Sequence, residues 1–234
     1  MKKGAKKNQA KIKPGISKIS KKYKAIIFDL DGTLINSLPY HELAFKDLLL
    51  ERGIRIDQKN LRNLLGLSTR HILQQLKKKY KFAENIDDLR EERRYHYFKF
   101  LGFRNIVFPG VIKTLEKLRL NYKLAIATGS SYVTYTHSTD KDFQSLFDQV
   151  ITINDVPKGK GKPHPDQLLI VSKKLRVKPQ DCLMIGDSSY DALSAKRAKM
   201  DFIGVTTGHI TKDKLLQFGA KTTIKAIKDL NYVL

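Results

Sequence analysis

The chain has 234 residues, 41% of them hydrophobic, which is enough for one large domain or a core with a small second unit. A mean hydropathy of -0.39 suits a soluble protein, and no apolar run approaches the roughly 20 residues of a membrane-spanning helix. The single cysteine, Cys182, excludes an internal disulfide, and the formal charge of +22 reads as a solvated lysine-rich tail or as an attraction for phosphate-bearing partners.

Residues 1–24 hold ten lysines and no acid, with too little apolar content to fold, and read as a disordered basic tail. The tail lacks the apolar centre of a secretory signal and the arginines of a mitochondrial transit peptide, so the cytoplasm is the expected location. The first apolar run, "AIIFD" (25–29), leads into "DGTLINS". From Ser37 to about Phe108 the pattern is helical throughout, in "HELAFKDLLLERG", "NLRNLLGL", "RHILQQLKKKY" and "IDDLREERRYHYFKFL". About seventy residues exceed a simple crossover, so residues 37–108 read as a small helical domain inserted into a core made of 25–36 and 109–234. The core continues with "KLAIATG" (123–129), "VITI" (150–153), "CLMIGD" (182–187) and "FIGV" (202–205). Helix-like stretches fall at 110–120, about 138–146, 165–175, 190–198 and 211–217. Continuous apolar strands alternating with helices signal an α/β fold, a Rossmann-like parallel sheet covered on both faces. Cys182, inside "CLMIG", reads as a buried core thiol.

Three of the apolar runs end in groups that suit phosphate chemistry: Asp29 and Asp31, then Thr128-Gly129-Ser130, then Gly186-Asp187. In an open parallel sheet, ligands bind beyond the carboxyl ends of the strands, so these groups are expected to converge. Lys162, in the loop "GKGKPHPD", could reach the same place. Clustered carboxylates repel one another and call for a cation, and hard oxygen donors suit Mg²⁺. Asp29 is then the nucleophile and Asp31, two residues on, the acid that protonates a leaving alcohol and the base that activates water. The Thr128 hydroxyl, nearby N–H groups and the Lys162 ammonium would hold phosphoryl oxygens. Taken singly, Asp-x-Asp-Gly is usually a loop, Thr-Gly-Ser a turn and Lys162 one solvated lysine among many. Four such elements, each in place along the alternating runs and in one order, favour the joint reading.

"DLDGTL", "ATGSS", "GKPHPD" and "GDSSYD" resemble the four ordered motifs of the haloacid dehalogenase-like hydrolase superfamily, over the chain from about residue 24 onward. The resemblance implies a Rossmann-like core with an inserted helical cap, Asp29 as nucleophile and Asp31 as acid/base. It further implies phosphate binding by Thr128 and Lys162, and Mg²⁺ held by Asp29, the Asp31 carbonyl and Asp187, with Asp191 supporting the metal shell. The second Asp argues for phosphate esters, since dehalogenases of the superfamily lack an acid/base there. "NSLPYH" with His41, and "GLSTRHIL" with Arg70, resemble the β-phosphoglucomutase and sugar-phosphate phosphatase subgroup, in which an Arg at the place of Arg70 helps hold a substrate phosphate. The long loop "DVPKGKGKPHPD" resembles instead the pseudouridine-5'-phosphatase and glycerol-3-phosphate phosphatase-like branch; Lys158 and Lys160 lie close to Lys162 there, and the following proline favours Lys162.

His41 reads either as a substrate-facing residue or as a half-buried helix histidine, and Arg70 as a phosphate ligand or a surface charge. Arg93 and Arg94 read as facing the substrate or, more often for such residues, as solvated, and Tyr95, Tyr97, Phe98 and Phe100 as cap core. The expected function is a Mg²⁺-dependent phosphatase for a small phosphomonoester, a sugar, polyol or nucleoside phosphate. A phosphomutase would use the same residues. A reading from another class is a nucleic-acid or anionic-membrane binding protein acting through the basic tail.

Overall fold

The computed structural model describes residues 23–234. Its elements, in chain order, begin with strand β1 (Ala25–Phe28) and helices α1 (Leu38–Leu50), α2 (Gln58–Arg62), α3 (Thr69–Tyr80) and α4 (Ile86–Leu101). They continue with α5 (Val111–Leu118), β2 (Lys123–Ala127), α6 (Tyr132–Ser138), α7 (Lys141–Gln144), β3 (Gln149–Ile151), α8 (Asp166–Leu175) and β4 (Cys182–Gly186). Last come α9 (Ser189–Arg197), β5 (Asp201–Val205), α10 (Lys212–Gln217), β6 (Thr222–Ile224) and α11 (Leu230–Val233).

The six strands form one sheet in the order β3-β2-β1-β4-β5-β6, and every pairing is parallel. β1 lies between β2 and β4, with Ile27 level with Ala125 on one side and Met184 on the other. Alternate residues serve opposite layers, as the two-residue period of a strand requires. Ile26, Phe28, Leu124, Ile126, Leu183 and Ile185 pack with α5, α7 and α11 residues such as Leu115, Phe143 and Leu230. Ala25, Ile27, Ala125, Cys182 and Met184 pack on the other face with Leu168, Val171, Ala192 and Leu215. Both faces are covered, which is why these strands read as unbroken apolar runs. Cys182 is fully buried and its thiol is pushed up to about 11 by burial.

Helices α1 to α4 have a third core of their own, built from Phe45, Leu48, Leu49, Leu61, Ile72, Leu73, Leu76 and Leu89. The two chain passages joining this cap to the sheet run side by side: Ile35 bridges Val107, and Asn36 N–H donates to the Ile106 carbonyl at 2.7 Å. α4 serves both units. Its Leu89 sits in the cap core, whereas Tyr97 and Leu101 join the core beside the sheet.

The structure corrects the sequence reading in several places. The helix expected over about 138–146 is two short helices, because Thr139 is extended (φ -140°) and the Asp140 side chain caps α7 at Phe143 N–H. β6, a three-residue edge strand, was not foreseen. Tyr97 packs against the sheet side rather than as cap core, and Tyr95 is exposed. Tyr23 and Lys24 already belong to the fold: the Tyr23 hydroxyl donates to Asp201 at 3.0 Å, and Lys24 N–H to the Asp181 carbonyl at 2.9 Å. The rest of the lysine-rich tail, on which the expectation of nucleic-acid or membrane binding rests, lies outside the described residues. Among those described, no helix is long and apolar enough to cross a membrane.

Candidate active site

The carboxyl ends of β1, β2 and β4 meet at the point where the sheet order reverses, and three of the sequence motifs come together there. Asp29, Asp187 and Asp191 are all buried, and each offers a carboxylate oxygen within 4.8 Å of the others. Lys162, only 2% exposed, reaches in from the loop between β3 and α8. Its ammonium donates to Asp29 Oδ1 at 2.6 Å and forms an ion pair with Asp191 Oδ1, also at 2.6 Å. Lys162, not Lys158 or Lys160, is therefore the lysine of this site.

Each acid is positioned by its local structure. Asp29 follows β1 directly and its N–H donates to the Ile185 carbonyl at 2.8 Å, which fixes its height against β4. Asp187 follows β4, and its Oδ1 accepts from the Thr33 hydroxyl at 2.8 Å. Two glycines press on its other oxygen. A Cβ on Gly32, whose φ is +80°, would stand 2.6 Å from Asp187 Oδ2, and one on Gly208 would stand 1.9 Å away. Both positions need glycine for closeness, and Gly32 also for its backbone. Asp191 is the third residue of α9 and closes a capping box with Ser188, whose hydroxyl donates to Asp191 Oδ2 at 2.5 Å. Its two oxygens are thus committed to the helix cap and to Lys162.

Three buried carboxylates face one ammonium, an excess of negative charge. Burial first, then Asp191 and Asp31, raises Asp29 to about 7 against the pull of Lys162. Asp187 is raised well above the ordinary carboxylate range by burial and by the Asp29 and Asp191 charges. Burial alone would lower Lys162, but the two paired carboxylates raise it, so it stays an ammonium. Crowded hard oxygens that resist ionising together are a donor set that fits a divalent cation.

Asp31 points the other way. Burial would raise its pKa, yet its carboxylate is held far below the ordinary range by His41, through charge first and then a hydrogen bond, and by hydrogen bonds from the Ser37 and Ser130 side chains. His41 Nε2 and the Ser37 hydroxyl meet Oδ1 at 2.9 and 2.6 Å, and the Ser130 and Thr128 hydroxyls donate to Oδ2 at 2.8 and 3.1 Å. Ser37 is the N-cap residue of α1, but its hydroxyl goes to Asp31 and caps no helix N–H. His41 Nδ1 touches the Arg93 guanidinium. An arginine only donates, so Nδ1 accepts and the N–H sits on Nε2, facing Asp31. Burial and then Arg93 lower His41, against the opposing pull of Asp31. Arg93 is only 3% exposed, lies over the Phe45 and Tyr97 rings, and is pushed down to about 10 by burial. The expectation that Arg93 is solvated is wrong. His41 is buried beside Asp31, stacked on Tyr97 at 4.3 Å between ring centres.

Arg70 is not brought to this cluster. It sits on α3 with its guanidinium against Asp87, in the wall of a separate cavity of about 230 Å³ between cap and core. Gly129, Thr69 and Arg93 border both that cavity and the cleft above Asp29 and Asp31. Arg94 lines the larger cavity and pairs with Glu91. The sequence reading includes Ser130 only as part of Thr128-Gly129-Ser130 and gives the Asp31 partner Ser37 and the Asp187 partner Thr33 no role, although both lie within quoted motifs. Arg93 gave no local signal, since its partner lies 52 residues away.

Known proteins are similar to this chain. The family model for haloacid dehalogenase-like hydrolases matches residues 26–205. The chain is similar to phosphoglycolate phosphatase of Colwellia psychrerythraea, 28% identical over 217 residues that cover 88% of this chain and 94% of the relative. It is similar to β-phosphoglucomutase of Bacillus subtilis, 28% identical over 218 residues, covering 88% and 91%. Among solved structures, a hydrolase from Pseudomonas syringae superposes with a TM-score of 0.78 at 29% identity, covering 89% of this chain and 96% of that one. The chain belongs to the haloacid dehalogenase-like hydrolase family.

Proposed function

We propose that the chain is a Mg²⁺-dependent phosphatase that hydrolyses a small phosphomonoester, a sugar, polyol or nucleoside phosphate, through an aspartyl-phosphate on Asp29. The observation that carries this is the pairing of two unlike carboxylates two residues apart. Asp29 is buried beside Lys162, Asp187 and Asp191, and Asp31 is kept ionised by side chains on its far side. Environments that push two acids in opposite directions separate their roles.

Asp29, Asp187 and the Asp31 carbonyl would hold Mg²⁺, with Asp191 acting through Lys162 and the α9 cap. The bound ion supplies positive charge that lets Asp29 and Asp187 ionise side by side and offsets the charge of the phosphate. Asp29 then attacks phosphorus, the P–O bond to the alcohol breaks, and Asp31 gives the leaving oxygen its proton. In the second half, Asp31 takes a proton from water, whose oxygen attacks phosphorus and restores the Asp29 carboxylate. Thr128 and Ser130 have a double use. Their hydroxyls are shared with Asp31 before substrate arrives, and a phosphate dianion taking them would remove two stabilising bonds from Asp31. Its pKa then rises, which loads the proton the first half requires. Gly129 N–H and Lys162 would hold phosphoryl oxygens as charge redistributes.

Phosphate release from a panel of phosphomonoesters, with Mg²⁺ or with chelator, tests the proposal. The expected result is Mg²⁺-dependent release that Asp29→Asn abolishes while circular dichroism stays native. Release at the wild-type rate by Asp29→Asn would refute it. Product analysis with sugar phosphates separates hydrolysis from transfer: a moved phosphate with little free phosphate would show a mutase.

A further inference from the structure

We infer that His209 is a positioning residue: its contact with Glu42 ties helix α1 of the cap to the loop that presses on Asp187, so that a cap carboxylate tunes metal affinity in the core. The inference rests on the phosphatase reading for the presence of Mg²⁺ at Asp29 and Asp187, and adds two residues that reading does not use.

The loop after β5, residues 206–210, is pinned at successive positions. Thr206 N–H donates to the Ile224 carbonyl at 3.0 Å, at the end of β6. The Thr207 hydroxyl donates to the Gly32 carbonyl at 2.5 Å, one residue past Asp31. Gly208 follows, and a Cβ there would stand 1.9 Å from Asp187 Oδ2, so the loop backbone is itself the wall against which that carboxylate rests. His209 comes next and meets the cap, with its Nε2 2.9 Å from Glu42 Oε1. That nitrogen is buried and has no hydrogen-bond partner to take the place of Glu42.

Glu42 is only 4% exposed, and a carboxylate so deeply placed requires partners. Within the cap it accepts from Arg62 Nε at 2.6 Å and from Gln58 Nε2 at 2.8 Å, both on α2. His209 is its partner from the core. Helix α1 thus reaches the catalytic end of the sheet with two consecutive residues, His41 at Asp31 and Glu42 at the loop behind Asp187. Elsewhere the cap has another tie to the core, where the Tyr190 hydroxyl donates to the Asn63 carbonyl at 3.1 Å. That tie does not involve the loop behind Asp187.

Cutting the Glu42 contact removes one of the loop's anchors. Asp187 then has room to leave the orientation it holds between the Thr33 hydroxyl and Gly208. Groups that orient metal ligands from outside are worth about 10–100-fold in affinity, and an effect relayed through one loop falls at the low end. By reciprocity, the bound ion strengthens the Glu42–His209 contact by the same factor.

Calorimetric titration of the full chain with Mg²⁺ alone, without substrate, tests the inference. His209→Leu and Glu42→Gln are each expected to weaken Mg²⁺ binding by about tenfold, and the double variant no more than either. His209→Gln keeps a donor and should retain most of the affinity, and Tyr190→Phe, which removes the other tie, should bind as the wild type does. His209→Leu carries the test by itself, since the His209 side chain is 23% exposed and its replacement does not put folding at stake. Wild-type affinity in His209→Leu overturns the inference, and so do losses that add in the double variant. An equal loss in Tyr190→Phe also overturns it, by reducing the effect to a general loosening of the cap. These three results leave the phosphatase reading standing, whereas a wild type that binds no Mg²⁺ overturns that reading and the inference together.

Discussion

Replacing Asp29 by Asn should stabilise the metal-free protein, and more so as pH rises. In the folded chain the Asp29 carboxyl stands at about 7, chiefly through burial, against an ordinary 3.8. A raised folded pKa gives stability that is complete below about 4 and lost as pH climbs through about 7. At 1.36 kcal/mol for each pH unit between the two values, the ionised side chain costs ~4 kcal/mol near pH 8. Asp187, raised for the same reasons, adds in the same direction, and it is relieved in the variant because Asp29 is one of the charges acting on it. Asn does not titrate, so the variant escapes this loss. Urea unfolding of both proteins in chelator, near pH 5 and near pH 8, measures the difference, and groups that titrate alike in both chains cancel. The stability gap should widen by ~3 kcal/mol between those pH values. Saturating Mg²⁺ should stabilise the wild type, most strongly near pH 8, and the variant far less. A gap that stays constant with pH would refute the reasoning, because Asp29 would then be an unremarkable ionised carboxylate.

Three further outcomes follow from the same geometry. Asp31→Asn should lower steady-state turnover by about 10²–10⁴-fold but still form phosphoenzyme from an ester with a good leaving group; equal loss of both half-reactions in rapid-quench kinetics would deny Asp31 the proton transfer. Arg93→Met should cost about tenfold in kcat and move the acid limb of the kcat/KM–pH profile, because His41 loses its cationic neighbour. The fold should be little changed, within ~1 kcal/mol by urea unfolding, since a buried cation is replaced by a well-packed apolar chain, and a lower rate with an unmoved pH profile would make Arg93 merely structural. Gly208→Ala should push the Asp187 carboxylate aside and weaken Mg²⁺ binding by about tenfold or more in calorimetry; wild-type affinity would show that the close approach at Asp187 is unimportant.

Much of the site was legible because a parallel sheet converts sequence order into position. Asp29, Thr128 and Asp187 each follow an apolar run, so knowing which runs are strands places all three at one edge. Lys162 was legible for a different reason: the loop before α8 has to return over that same edge. What the sequence did not show depends on contacts between remote elements. Arg93 belongs to a charged helix in which only one face is covered, and nothing nearby in sequence says that α1 brings His41 against it. The Ser37 hydroxyl breaks a local rule, since an N-cap serine ordinarily serves its own helix, and it does so at the catalytic cleft, where such exceptions are expected. Arg70 shows another limit: its motif surroundings suggest a phosphate ligand, but only the fold shows that it lines a second cavity, with its guanidinium against Asp87. The short helices α6 and α7 and the edge strand β6 are too brief for periodicity to resolve.

The most direct test is acid quench of the wild type during turnover of a radiolabelled phosphomonoester with Mg²⁺, followed by peptide mapping. Label on the peptide that contains Asp29, absent from Asp29→Asn and accumulating in Asp31→Asn with an activated ester, is the expected result. Full turnover with no label on that peptide, or label on another residue, would contradict the account.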